Sequence, residues 1–158
     1  MSTIARALPQ DAEALSLLHE RSFADRWSAQ YIASLLASPG AIAFLAREGT
    51  APRAFVLARQ AADEVEILTL AVDPAARRRG MGGALIRAAA EHAHMGGARA
   101  MFLEVETTNE AARGLYAGLG FREVGQRRGY YRDAPGMPAR DALTLKAELP
   151  LGKAGENG

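Results

Sequence analysis

Arg77, Arg78 and Arg79 are followed at once by Gly80, Met81, Gly82 and Gly83. Guanidinium groups beside a glycine-bearing turn suit an anion, best a phosphate or pyrophosphate. The glycines let backbone approach a ligand without Cβ atoms in the way. A helix starting there adds unpaired N–H groups and the positive end of its dipole. Two familiar phosphate loops are ruled out by the residues themselves. A P-loop needs Gly-Lys-Ser/Thr at the helix start, where this chain has Gly82-Gly83-Ala84. A dinucleotide loop needs a third glycine where Leu85 stands. A solvated arginine turn joining a strand to a helix is the plain alternative.

A second constellation lies downstream. Strand alternation puts Met101, Leu103 and Val105 on one side, and Phe102, Glu104 and Glu106 on the other. Glu104, beside apolar neighbours, is a candidate general base; the alternative is a carboxylate on a solvated sheet face. Asn109 is a natural helix cap. Leu115, Tyr116 and Leu119 form an apolar stripe, so by spacing alone Tyr116 reads as core more often than as a catalyst. His19, His92 and His94 read as helix-surface or boundary residues. Their spacing matches no zinc motif, and no metal is expected.

These residues need a framework of alternating elements. Thr3 to Ala7 reads as a strand and Pro9 to Phe23 as a helix with Ala14, Leu15, Leu18 and Ser22 along one stripe. Ser28 caps a helix over Ala29 to Leu36 that Ser38-Pro39-Gly40 ends. Ala41 to Arg47 and Arg53 to Arg59 read as a hairpin around a turn containing Gly49 and Pro52. Glu64 to Val72 is a buried strand, stopped by Asp73-Pro74. Ala84, Leu85, Ala88, Ala89 and His92 set a helix running to about Met95 and ending at Gly96-Gly97. Ala100 to Glu106 is a strand, Asn109 to Gly118 a helix, and Phe121 to Gln126 and Asp141 to Leu149 are the last strands.

Composition bounds the function. A length of 158 residues predicts one domain, over 1–149, with 150–158 as a flexible tail. The absence of cysteine excludes disulfides, thiolate metal sites and a cysteine nucleophile, and is compatible with a cytoplasmic location. A net charge of +1 does not favour nucleic acid. No run approaches the ~18 apolar residues that span a bilayer, and no signal peptide is visible, so no membrane association is expected.

The strand ending in Val72-Asp73-Pro74, followed by Arg77-x-x-Gly80-x-Gly82, resembles the acyl-coenzyme A pyrophosphate loop of the Gcn5-related N-acetyltransferase superfamily. Leu103-Glu104-Val105 followed by Asn109-x-x-Ala112-x-x-Leu115-Tyr116-x-x-x-Gly120-Phe121 resembles the second half of such an enzyme. Ser22-Phe23, Trp27-Ser28, the run Glu66 to Val72 and Arg127-Arg128-Gly129-Tyr130-Tyr131 make the chain similar to bacterial ribosomal-protein alanine N-acetyltransferases. One departure is visible: that family often has proline before Trp-Ser, where this chain has Arg26.

The resemblance implies an α/β fold: a mixed, largely antiparallel sheet flanked by helices, with splayed central strands forming the acetyl-CoA site. It implies acetyl-CoA as co-substrate, held by Leu70, Ala71, Val72, Arg77, Arg78, Arg79, Gly80, Met81, Gly82, Gly83 and Asn109. It makes Glu104 the base and Tyr116 the acid in direct transfer to an N-terminal alanine of a small-subunit ribosomal protein. Tyr130 and Tyr131 wall the peptide groove or fill a strand-end core. Six arginines (Arg113, Arg122, Arg127, Arg128, Arg132 and Arg140) orient the acceptor or form a solvated basic face. Two other functions stay open: transfer to a lysine or small-molecule amine, and a non-catalytic acyl-coenzyme A binding module. A binder needs only the loop, so the presence of both Glu104 and Tyr116 argues against it.

Overall fold

Short alternating runs become strands here, and 3.6-period runs become the helices that cover them. The structure, a computed structural model, describes residues 2–23, 26–131 and 140–152, with side chains left undescribed at 127–131 and 140. Strand β1 (Ser2–Arg6) leads through a short 3-10 turn (Pro9–Asp11) into α1 (Ala12–Ser22). Helix α2 (Ala29–Leu36) follows, then β2 (Ala41–Glu48), β3 (Ala51–Ala61) and β4 (Glu64–Val72). The chain continues through α3 (Met81–Met95), β5 (Ala100–Glu106), α4 (Glu110–Gly118), β6 (Arg122–Tyr131) and β7 (Arg140–Glu148). The expected mixed, largely antiparallel sheet flanked by helices is therefore present. The strands form one sheet in the order β1-β2-β3-β4-β5-β7-β6, and of these neighbours only β4 and β5 run parallel.

The sheet divides two apolar clusters. Leu85, Ile86, Ala89 and Ala93 of α3, with Tyr116 of α4, pack with Val65, Ile67, Met101, Leu103 and Val105 on one face. Leu15, Leu18 and Ile32 of α1 and α2 pack with Leu45, Phe55, Leu57 and Ala71 on the other. The alternation of β4 would keep residues 65, 67, 69 and 71 on one face. A bulge prevents this: Leu57 opposes Thr69 while Ala58 opposes Ile67, leaving Leu68 as the extra residue. Beyond it Leu70 and Val72 pack toward the α3 face, and Ala71 belongs to the α1/α2 cluster.

Several expectations shift. The first helix is split, its opening residues forming the 3-10 turn that Asp11 closes by accepting from the Leu8 N–H (2.8 Å). The β2–β3 turn is Gly49-Thr50 alone, and Pro52 lies inside β3 opposite Arg47. Pro52 is tolerated there because β4 pairs only from Ala54 onward. The buried stripe of α3 includes Ile86, Ala90 and Ala93, while Ala84 and His92 are exposed. His19 is a further correction: it is 3% exposed, not a surface residue. Strand β6 continues past Gln126 to Tyr131. Residues 153–158 of the expected tail lie outside the described residues.

Gly40 sets how α2 joins the sheet. Its φ is +80°, and a Cβ there would lie 2.1 Å from the Gln60 carbonyl oxygen. That carbonyl belongs to the backbone of β3, whose Gln60 N–H donates to the Gly40 carbonyl (2.8 Å). Gly40→Ala should therefore lower stability by at least about 1–3 kcal/mol, the usual cost of strained backbone, before any clash is counted. A urea unfolding midpoint measures this, and an unchanged midpoint would mean the turn relaxes freely.

Candidate active site

The site begins where β4 and β5 part. They pair at Glu64–Ala100, Val65–Met101 and Glu66–Phe102 and no further. Each then follows its other neighbour: β4 stays on β3 to Val72–Ala54, and β5 stays on β7 to Glu106–Ala142. A wedge opens between the C-terminal halves of the parallel strands. The expectation of splayed central strands is met.

The ladder decides which backbone groups face the wedge. The Asp73 N–H donates to the Arg53 carbonyl (2.7 Å). Antiparallel alternation then turns the polar groups of Ala71 toward β3 and those of Leu70 and Val72 toward the opening. Of the three expected contributors, Ala71 offers the wedge no backbone donor. The Val72 carbonyl already accepts from Ser22 Oγ (3.3 Å) and Arg77 Nε (3.2 Å). The Leu70 and Val72 N–H groups remain directed at the gap.

The 77–83 loop follows. Gly80 is the N-cap of α3 in the left-handed conformation (φ +79°) and brings no side-chain acceptor. The Ala84 N–H makes the first helical bond, to the Gly80 carbonyl (3.1 Å). The N–H groups of Met81, Gly82 and Gly83 are thus left without intrahelical acceptors at the positive end of the dipole. This donor set fits a pyrophosphate. The arginines divide by what they already hold. Arg77 is turned back onto Val72, and Arg79 pairs with Glu48 (2.6 Å). Arg78, at φ +66°, is exposed. Met81 is 6% exposed and packs in the core, so only its backbone can serve a ligand. Gly82 faces inward: an added Cβ would meet Leu115 Cδ2 at 3.4 Å, Leu70 Cδ2 at 3.5 Å and Val72 Cγ2 at 3.8 Å. It seats the first turn of α3 against β4 and α4 rather than simply clearing space for a ligand.

The remaining candidates belong to β5 and to the α4 segment that follows it. Tyr116 is buried in the α3/α4 cluster, edge-on to Phe121 (5.7 Å between centroids). Glu104 is half-buried and, by alternation against Leu103 and Val105, on the opposite face. Asn109 caps α4, its side-chain oxygen accepting from the Ala112 N–H (3.1 Å). A groove of about 430 Å3 along α4, lined in part by Arg113, Phe121 and Leu145, takes no residue from the loop. Tyr130 and Tyr131 lie at the end of β6, and their side chains are outside the described residues, as are those of Arg127, Arg128, Arg132 and Arg140. Arg113 and Arg122 pair with Glu123 (3.2 Å) and Glu148 (3.5 Å). Among the described residues no group of His and carboxylates could hold a metal ion, and no helix is long and apolar enough to cross a membrane.

Asp73, by its place before Pro74 a strand stop, has a second role in the structure. It is 6% exposed. Its Oδ1 accepts from the Ala75 N–H (3.0 Å); its Oδ2 lies 2.9 Å from Arg21 and 3.5 Å from Arg53. The Ala75 bond, then the Arg21 and Arg53 guanidinium groups, hold its carboxyl below the usual range against the opposing effect of burial. Asp73-Pro74 signals a turn locally, but Arg21 is 52 residues away, and that partnership has no local signature.

Comparison with known proteins gives a consistent result. Residues 12–121 match the acetyltransferase (GNAT) family. The chain is 32% identical over 151 residues, covering 96% of it and 100% of the relative, to the [ribosomal protein bS18]-alanine N-acetyltransferase of Escherichia coli K12. The crystal structure of the Escherichia coli ribosomal-protein-S18-alanine N-acetyltransferase superposes with a TM-score of 0.86 at 30% identity, covering 100% of this chain and 99% of that one. Arabidopsis thaliana NAA60, crystallised with acetyl-CoA, shares the fold with a TM-score of 0.81 at 22% identity, covering 94% of this chain and 99% of its own.

Asp73→Asn should lower stability at neutral pH by about 1–3 kcal/mol, the range for disturbing a buried hydrogen-bonded group. Because the native carboxyl titrates below the ordinary aspartate value of about 4, its contribution is present above that value and fades as pH falls through the native pKa. Unfolding curves from pH 7 to pH 3 should show the two proteins converging in acid. A constant gap would mean that the ionised carboxylate contributes nothing.

Proposed function

This chain belongs to the acetyltransferase (GNAT) family and is an acetyl-CoA-dependent N-acetyltransferase, and we propose that its acceptor is the N-terminal α-amine of a protein beginning with alanine, such as a small-subunit ribosomal protein. The observation that carries this reading is the wedge. It is the described opening through the sheet between the face of Glu104 and the face of Tyr116 and the α3 first turn. The nearly full-length likeness to an alanine N-acetyltransferase supports the choice of acceptor.

Acetyl-CoA supplies the activated acyl group; the protein's residues do the rest. The N–H groups of Met81, Gly82 and Gly83, with the Arg78 guanidinium, hold the pyrophosphate. Asn109 contributes a further polar contact from the start of α4. The Leu70 and Val72 N–H groups bind the pantetheine arm and the acetyl oxygen, where negative charge grows as the amine adds. Glu104 takes a proton from the α-ammonium, directly or through a water, and Tyr116 gives one to the departing thiolate. The attacking nitrogen bonds the carbonyl carbon and the carbon–sulfur bond breaks; the second proton that the nitrogen sheds passes through solvent to restore the Tyr116 phenol, with no covalent enzyme intermediate.

The amine's own acidity favours an N-terminus. An α-ammonium titrates near ~8 and a lysine near ~10.4, so neutralising them at pH 7 costs about 1.4 and about 4.6 kcal/mol. One carboxylate base suffices for the first. A small first side chain lets the amine reach the thioester between Glu104 and the end of β4.

Incubation with acetyl-CoA and matched peptides tests the acceptor. A peptide beginning with alanine should be acetylated on its α-amine, and the N-blocked peptide with an internal lysine should react far more slowly, as read by fragment mass mapping. Preference for lysine or for polyamines would overturn the acceptor assignment. Glu104→Gln should lower turnover by ~10²–10⁴ at neutral pH, the usual range for one acid–base group, and the deficit should shrink as pH rises and more amine is neutral. Tyr116→Phe should lower kcat with little change in coenzyme affinity, because the lost bond forms mainly in the transition state. A near-native rate for either variant removes that residue from the chemistry.

A further inference from the structure

Arg78 is held in a conformation that arginine disfavours. Its φ is +66°, in the left-handed region, and Gly80 two residues on takes the same region at +79°. A residue other than glycine stays there when its surroundings over-determine it. Here both neighbours are tied down. Arg77 donates from Nε to the Val72 carbonyl (3.2 Å), back onto the end of β4. Arg79 reaches the other way, with one guanidinium nitrogen 2.6 Å from Glu48 and the other 3.4 Å from the Ala75 carbonyl. Arg78 itself is exposed between these two ties.

Glu48 is the remote member of this arrangement. It ends β2, 31 residues before Arg79. Its carboxylate is shared: Oε2 takes Arg79, and Oε1 lies 3.0 Å from Arg53 Nε. Arg53 is in turn 3.5 Å from the buried Asp73. The far end of the Arg79 tie is therefore the sheet, not another loop. With one oxygen toward each of two guanidinium groups, the Glu48 charge is balanced, so it holds the loop without opposing an incoming phosphate.

We propose that Glu48 is a positioning residue for the coenzyme: through Arg79 it fixes the loop so that Arg78 and the Met81, Gly82 and Gly83 N–H groups stand ready for the pyrophosphate. The inference rests on the placement of the pyrophosphate at this loop, given above. A site already shaped when its ligand arrives avoids the cost of ordering the loop on binding. Loss of the Glu48 tie lets Arg78 relax toward ordinary backbone, and that cost returns. The acetyl transfer itself is untouched, because Glu104 and Tyr116 stand on β5 and α4.

Calorimetric titration with acetyl-CoA, beside turnover of an alanine-initiated peptide at saturating acetyl-CoA, tests this. Glu48→Gln keeps the shape and removes the charge. It should raise the coenzyme Kd about three- to fivefold, the scale of one half-exposed ion pair, and leave kcat unchanged. Arg79→Gln should raise the Kd by a similar factor. The double variant should lose no more than either alone, because both substitutions remove the same tie. The inference is overturned if Glu48→Gln leaves the Kd unchanged or lowers it, if the two losses multiply in the double variant, or if coenzyme affinity, kcat and melting temperature fall together. Arg78→Gln leaves both ties in place and removes only the cation between them. An unchanged Kd for that variant would instead sink the placement of the pyrophosphate at the loop, which separates the two.

Discussion

Everything in this site follows from two parallel strands that cannot stay together. β4 and β5 share three residue pairs and then separate, each held by an antiparallel partner on its outer side. Backbone donors in a sheet are normally consumed by the ladder. Here the parting leaves those of Leu70 and Val72 unclaimed by a strand, at the point where the α3 helix start brings its own unpaired N–H groups. The bulge at Leu68 supports the arrangement by reversing which side chains of β4 face each cluster. An unbroken strand would turn Leu70 and Val72 toward α1 and leave Gly82 of α3 without its apolar seat.

A run of charges joins the 77–83 loop to the last turn of α1 across the ends of β2, β3 and β4. Arg79 pairs with Glu48 (2.6 Å), Glu48 with Arg53 (3.0 Å), Arg53 with Asp73 (3.5 Å) and Asp73 with Arg21 (2.9 Å). The outer members are half-exposed and contribute little individually. Asp73 differs because it is buried and also holds the Ala75 N–H, so it fixes the turn from which the loop departs. Pro52 and the bulged Arg53 have a purpose in this light. The register slip between Ala46 and Arg47 leaves Arg53 as the extra residue at the β3 start, where it bridges Glu48 and Asp73.

Charge and apolar packing divide the labour between the faces. The α3 face combines a helix start, the exposed Arg78 and the buried Tyr116 ring, which suits a phosphorylated co-substrate. The α1/α2 face combines a half-buried carboxylate with stacked aromatic rings, which suits an amine on a short peptide. On the reading proposed above, two ligands of different chemistry approach from opposite sides and meet in the wedge.

Much of this was legible in the amino-acid order. Local chemistry defined the elements: Ser28 and Asn109 do cap α2 and α4, with side-chain oxygens on the Tyr31 and Ala112 N–H groups. Asp73-Pro74 does end β4, and the arginine–glycine loop does open a helix. Those features depend on residues within one turn of each other, so spacing alone carries them. Periodicity also puts Glu104 opposite Leu103 and Val105 on β5, but which face of the sheet α4 covers, and Tyr116 with it, is decided only in the tertiary structure. The bulge at Leu68, the burial of His19 under Trp27 and the Asp73–Arg21–Arg53 cluster have no such signature. Each is created by residues distant in the chain or by the pairing of neighbouring strands, and a hydrogen-bond register or a ring stack exists only after those partners meet. Sequence determined which groups could do chemistry; tertiary pairing decided which of them face the same opening, because the direction of a backbone N–H is set by the strand beside it.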